Sequence, residues 1–355
     1  MKVVADLSLT ATARAPLAPP AWYAPWASPV TGTSPALVLD FVAGTYGAGG
    51  AEGTLGSVLA FARGTEGSVV DATGALVSAP PDTARIDHDP ATLAPLGLLL
   101  ETGRTNLIAD SAAPLDQTID VAGVPQVLSF YGTGSVTLSG AYAGTVTGGG
   151  AYPVRTVLPF TPAAGALSLA FTGDVTAVQL EEGEAASSYI PAATVPASRG
   201  EDIASVALGE WFNPSGGTLV FSGALAGAGA NDRIVELDDG TTASRMSLLW
   251  NTVLDRPQFQ AWDGGALQAA VAPGGNAIGL GNHFRAAVAF SASGEFAVSV
   301  NGSAVAAATG GVVPAGLTTL RLGRSAWGAQ GLMVAESVTF YPARLPDDEL
   351  QALSA

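Results

Sequence analysis

Few side chains in this 355-residue chain could act chemically on another molecule. There are two histidines and no cysteine, so disulfides, thiolate zinc sites and cysteine nucleophiles are excluded. A general base from histidine has only His88 and His283 to draw on. Adjacent acids occur at Glu181 and Glu182, Asp238 and Asp239, and Asp347 and Asp348. On a strand such neighbours project to opposite faces, which is poor geometry for shared acid and base roles. Neither Gly-x-Ser-x-Gly nor a Glu-x-x-Asp-x-x-Glu run is present. The glycine clusters at 148–150, 274–275 and 310–311 open no helix with a basic partner, so they read as turns and not as phosphate loops. His283 reads as a packed or half-exposed sheet residue and His88 as a structural loop residue. The expectation is a protein that is not an enzyme.

Two constellations remain. A pyranose ring is held by a flat aromatic face with amide, carboxylate or guanidinium groups beside it. Trp262-Asp263, at a hairpin tip, and Arg324-Ser325-Ala326-Trp327-Gly328, in a glycine-bounded loop, both offer that combination, so Trp262, Asp263, Arg324 and Trp327 are the candidate saccharide-binding residues. Trp250 follows two leucines and reads as core. Hard cations such as calcium want several oxygen ligands. Asn231, Asp232, Asp238 and Asp239 are the candidate calcium ligands, with Asn251 and Asp255 nearby, although their spacing matches no EF-hand.

The elements that must position these groups are strands. With 45 glycines, 23 prolines, 12% charged and 48% hydrophobic residues, the chain reads as turn-dense and all-β. Its mean hydropathy of +0.36 owes much to alanine. No apolar run reaches the roughly 18 residues of a spanning helix, and Met1 to Thr10 lacks the apolar stretch of a secretory signal, so neither membrane insertion nor export by that route is expected. A net charge of −16 with no basic stripe argues against nucleic acid.

Five segments are expected. Residues 1–36 are an extended, proline-rich docking arm, whose Trp22, Tyr23 and Trp26 bury against a partner subunit. Residues 37–111 form a short-strand attachment region, and residues 112–190 a small β-sandwich with regularly spaced turn signals. Residues 191–205 are a linker, and residues 206–355 a larger sandwich. In the last, Asn301-Gly302 and Asp263-Gly264 suit hairpin turns that need two positive φ angles. At its end Asp347, Asp348 and Glu349 open a short helix whose Leu350 and Leu353 share a docking face.

Several phrases carry a resemblance. Phe61-x-Arg63, Val70-Asp71-x-x-Gly74, Arg85-Ile86-Asp87-x-Asp89-Pro90 and Leu99-Leu100-Glu101-x-x-Arg104-Thr105-Asn106-Leu107 come first. Gln179-Leu180-Glu181-x-Gly183, Ser188-Tyr189-Ile190-Pro191 and Arg199-x-x-Asp202-x-x-Ser205 follow, on the far side of the small sandwich. Together they resemble surface proteins of tailed bacteriophages and of phage-derived gene-transfer particles. The 112–190 segment is similar to a shortened jelly roll of the carbohydrate-binding-module kind. The final segment resembles a concanavalin A-like, laminin-G-like sandwich, on the Arg285 to Phe290 run, the Phe296-x-Val298-x-Val300-Asn301-Gly302 hairpin, Leu320-x-Leu322-Gly323 and Val338-Thr339-Phe340-Tyr341-Pro342-x-x-Leu345. What these resemblances imply is an adhesin, a head spike or tail fibre, made in the bacterial cytoplasm and displayed on a particle surface. It would bind host capsular polysaccharide, contact other particle proteins and form homo-oligomers. A ligand-free decoration subunit and a capsule depolymerase are the alternatives.

Overall fold

The computed structural model of the protein describes residues 21–227, 229, 232–275, 277–328 and 330–355, with the side chains of Ala21 and Trp22 excepted. Asn231, one of the candidate calcium ligands, lies outside the described residues, as does the first part of the docking arm.

Two facing antiparallel layers make the larger sandwich. Among the described residues a ten-stranded sheet runs in the order Ala306–Ala308, Glu295–Val300, His283–Ser291, Gly216–Gly227, Leu332–Tyr341, Leu37–Asp40, Thr45–Ala48 and Ala51–Gly53, with Pro95–Leu100 and Arg85–His88 added beside Leu332–Tyr341. The opposing seven-stranded sheet runs Ala266–Val271, Arg256–Asp263, Arg245–Asn251, Arg233–Asp238, Thr319–Leu322, Ile203–Ala207 and Ala60–Ala62. Period-two alternation makes the core. Leu219, Phe221, Val288 and Phe340 from the first sheet meet Leu248, Trp250, Phe259 and Leu320 from the second in one cluster. Trp250 is core, as its leucine neighbours predict. The other face of the ten-stranded sheet is sealed by the helix Asp347–Leu353, whose Leu350 and Leu353 pack on Val220, Ala287 and Tyr341.

The strands cross the domain boundaries expected from the sequence. Leu37–Asp40 and Pro95–Leu100 both pair with Leu332–Tyr341, and Ile203–Ala207 bridges Thr319–Leu322 and Ala60–Ala62. The attachment region is therefore part of the larger sandwich, and the expected linker, residues 191–205, contains the strand Ala197–Arg199 and the start of the strand Ile203–Ala207. The reason is edge satisfaction. Residues 206–355 alone would leave one edge of Leu332–Tyr341 and one edge of Thr319–Leu322 unpaired, and earlier segments complete those ladders.

The strands of the small sandwich run from Gln117 to Glu182. A four-stranded sheet (Gln117–Val121, Gly165–Thr172, Ser135–Gly140, Gly144–Thr147) faces a three-stranded one (Thr156–Phe160, Gln126–Tyr131, Thr176–Glu182) over a core of Leu128, Phe130, Leu138, Leu169 and Leu180.

The phrases that flank the small sandwich converge where it joins the large one. Arg63 pairs with Asp202 at 3.1 Å, and Arg85 spans Asp202 at 2.5 Å and Glu101 at 2.8 Å. Arg199 reaches Glu101 at 2.8 Å. Glu101 also accepts the Ser188 amide and hydroxyl, both at 2.6 Å. The five charged side chains are fully or almost fully buried. Burial by itself would raise the Glu101 pKa, but the Arg199 and Arg85 guanidiniums and the two Ser188 hydrogen bonds outweigh it and hold the carboxyl at about 2. Asn106 completes the junction. Its amide donates to the carbonyls of Val178 and Ile190 and accepts from the amides of Ile108 and Leu180.

The described part of the arm folds back on its own chain. Tyr23 is 2% exposed, and its hydroxyl accepts the Gly50 amide at 3.0 Å. Trp26 Nε1 donates to Asp40 at 3.3 Å, while the Val30 and Thr31 amides donate to Glu349 at 3.0 and 2.9 Å. Tyr23 and Trp26 thus serve as intramolecular anchors and not as residues held free for a partner. The Trp22 side chain lies outside the described residues.

Candidate functional site

The outward face of the seven-stranded sheet carries the polar half of each alternation. Along Arg256–Asp263, Phe259 and Ala261 point into the core while Gln258, Gln260 and Trp262 line the outside. The register opposite Ala266–Val271 shifts between Ala261 and Trp262, a bulge that re-aims the indole near the end of the strand. Amides continue from it. Trp262 Nε1 donates to Gln260 at 3.2 Å, and both Gln260 and Asn251 donate to Gln258, at 2.9 and 3.2 Å. The turn beyond has positive φ at Gly264 and Gly265, one residue later than Asp263-Gly264 predicts, so Asp263 ends the strand. Asn301 and Gly302 have positive φ as expected.

Trp327 reaches the same face from a different direction. Its loop, between Thr319–Leu322 and Leu332–Tyr341, lies across the sheet, and the Ala326 amide donates to Glu236 at 3.3 Å. The indole is 45% exposed. Between the two tryptophans sits Arg245, which pairs with Trp262 across the hairpin. Its guanidinium carbon is 4.6 Å from the Trp262 ring centre and 5.2 Å from that of Trp327. Arg233 lies 5.4 Å from the Trp327 ring on the same face. Trp262 and Trp327, 65 positions apart in sequence (327 − 262), are therefore parts of one platform.

One predicted residue does other work. Arg324 is turned inward, pairing with Glu201 at 3.1 Å and donating to the Ser325 carbonyl, so its guanidinium is not presented beside the indoles. The residue that holds that position is Arg245, which sequence reasoning missed. The available signal was the hairpin itself, since antiparallel pairing of Arg245–Asn251 with Arg256–Asp263 sets Arg245 opposite Trp262. The described calcium candidates, Asp232, Asp238 and Asp239, do not assemble. Asp238 is bound by Arg321 at 2.7 Å, and Asp239 closes its own turn through Thr241, which lowers its pKa. Asp232 accepts the Gly229 amide, and burial raises its pKa. Among the described residues no group of three or more His, Asp or Glu side chains is placed to hold a metal ion.

One cluster looks catalytic at first sight. Ser222 Oγ, His283 Nε2 and Glu336 Oε2 lie within 2.6–3.0 Å of one another on the outer surface of the ten-stranded sheet. A working triad needs the carboxylate on the imidazole nitrogen away from the serine. Here serine and glutamate share the same nitrogen, so the glutamate competes for the proton it should help the imidazole to take. A cleft of about 250 Å³ between the sandwiches contains Asp87, Tyr131 and Arg155. Burial raises the Asp87 pKa, while Arg155 is engaged by the Ser187 carbonyl and Ser129 hydroxyl.

No family model matches the chain, and no curated protein matches it. Among solved structures it is similar to the IT-sialidase CBM40 of Ruminococcus gnavus bound to alpha2,3 sialyllactose, at 17% identity and TM-score 0.35 over 40% of this chain and 83% of that one. Domain 4 of AbnA, a GH43 extracellular arabinanase from Geobacillus stearothermophilus, in complex with arabinotriose, gives 12% and 0.36 over 44% and 73%. A NanB sialidase mutant from Streptococcus pneumoniae gives 12% and 0.35 over 41% and 26%. Likenesses this slight transfer neither fold nor ligand.

Proposed function

We propose that this chain is a saccharide-binding adhesin without catalytic activity, carried on the surface of a phage-like particle and directed at host capsular polysaccharide. The observation that carries the binding part is the pairing of a 45%-exposed Trp327 with Trp262 on a rigid sheet, beside a row of glutamine amides. Indole faces take the apolar face of a pyranose, and amides take its hydroxyls. Placement on a sheet of paired strands keeps the platform preorganised, which limits the entropy lost on binding.

The particle context is supported by the phrases from Phe61 to Ser205 that resemble phage and gene-transfer-particle surface proteins. Display in many symmetric copies would raise avidity well beyond that of one shallow site. Contacts with neighbouring particle proteins and a homo-oligomeric state belong to the same proposal, as does assembly in a bacterial cytoplasm.

The test is retention of the full-length chain on a panel of immobilised capsular and neutral polysaccharides, with reducing ends counted after prolonged incubation. Retention without new reducing ends is expected. Absence of retention across the panel would favour a ligand-free decoration subunit, and a rise in reducing ends would favour a depolymerase.

A further inference from the structure

Arg245 sets the site apart from a neutral sugar platform. Five arginines stand on or beside this face, and three have acids: Arg233 with Glu236 at 2.7 Å, Arg321 with Asp238 at 2.7 Å and Arg324 with Glu201 at 3.1 Å, while Arg256, at the opposite end of its strand from Trp262, donates to the Leu254 and Pro273 carbonyls. Arg245 makes no ion pair among the described residues. It is only 8% exposed, its Nη1 donates to the Thr242 carbonyl, and its Nε has no hydrogen-bond partner. The charges that reach it are Arg233, of like sign, and Glu236, which Arg233 and Ser247 already engage. A guanidinium so far removed from water with its charge uncompensated is costly, and fold stability does not call for it where a neutral side chain would fill the space. The chain as a whole carries −16, yet this spot holds a surplus cation. Long-range repulsion of acidic polymers is screened within about 8 Å at physiological ionic strength, so contact chemistry at the face decides.

We infer that the Trp262–Trp327 platform takes a carboxylated saccharide, a uronic or nonulosonic acid residue, and that Arg245 is the group that meets its carboxylate; this rests on the saccharide-binding reading above. The two indoles flank the guanidinium, their ring centres 4.6 and 5.2 Å from its carbon, and the two oxygens of a carboxylate match the fork of N–H groups that a guanidinium carries. Stacking and charge then discriminate separately: the tryptophans read the ring, and Arg245 reads the acid.

The experiment compares full-length protein on hyaluronan, polygalacturonate and polysialic acid with the same polymers after carboxyl reduction, and on neutral dextran and galactan. At least one acidic polymer should bind about tenfold more tightly than its reduced form. Arg245→Gln should abolish that preference, and Arg245→Lys should restore part of it, with thermal melting confirming that each variant is folded. The wild-type comparison needs no variant, so it decides the matter even if Arg245→Gln does not fold. Equal binding of acidic and reduced polymers, binding to neutral polymers alone, or an acid preference that survives in folded Arg245→Gln would overturn the inference and leave the saccharide reading standing. Binding to none of the polymers would end both.

Discussion

Arg85 and Arg245 are two almost completely buried arginines in the same chain, and they are buried in opposite ways. Arg85 lies between Glu101 and Asp202, with Arg63 and Arg199 on the outer sides of those acids. Arg245 lies between two indoles and makes no ion pair among the described residues. The first arrangement joins the segments at residues 63, 85, 101 and 199–202 into one junction and leaves little for a ligand to satisfy. The second leaves charge and donor capacity beside an exposed ring. Enclosure by carboxylates marks an architectural arginine, and enclosure by aromatic faces marks one kept for recognition.

The sharpest way to break this comparison is to neutralise each arginine. Arg85→Leu strands two buried carboxylates and should cost ~3–5 kcal/mol, read as a fall in the urea or thermal midpoint. Acid should act on the same junction. Because the folded Glu101 pKa is about 2 against an ordinary 4.5, its contribution is complete above about pH 4.5 and disappears as pH falls toward 2. The loss is on the order of 3 kcal/mol, measurable as a falling melting temperature in that window and absent from a Glu101→Gln variant that still folds. Arg245→Gln removes cation–π contacts but also relieves the burial of a charge without an ion pair, so the two effects oppose and stability should change by no more than ~1 kcal/mol. Trp327→Ala should likewise move stability by less than ~1 kcal/mol, while weakening saccharide retention about tenfold. If Arg245 and Arg85 cost the same, the distinction between them fails.

Much of this architecture was legible in the sequence because it is written in period-two alternation and turn chemistry. Leu37 to Asp40, Phe296 to Val300 with Asn301-Gly302, and the helix around Leu350 all formed where their patterns place them. The boundaries were not legible, since strand pairing between residues 37 and 340 is a matter of topology that no local pattern encodes. The phrases that flank the small sandwich stand out as a set in the sequence, but their physical content, a buried network of charges drawn from distant segments, appears only on folding. The aromatic site was half legible. Trp262 and Trp327 stand out as tryptophans near glycine turns, whereas nothing local separates Arg245, on a strand, from Arg324, in a loop, as the one that the fold sets beside the indoles. Tyr23 and Trp26 misled because proline-rich sequence reads as extended, while the 3-10 turn Ala21–Trp26 lets them pack on Ala36, Asp40 and Gly50.

The most direct measurement is equilibrium binding of purified capsular polysaccharides by the wild-type chain and by Trp262→Ala/Trp327→Ala, with both proteins shown to melt alike. The account predicts saturable binding by the wild type and at least a tenfold loss in the double variant. Undiminished binding by a correctly folded double variant would place recognition elsewhere on the molecule and contradict the assignment of this face.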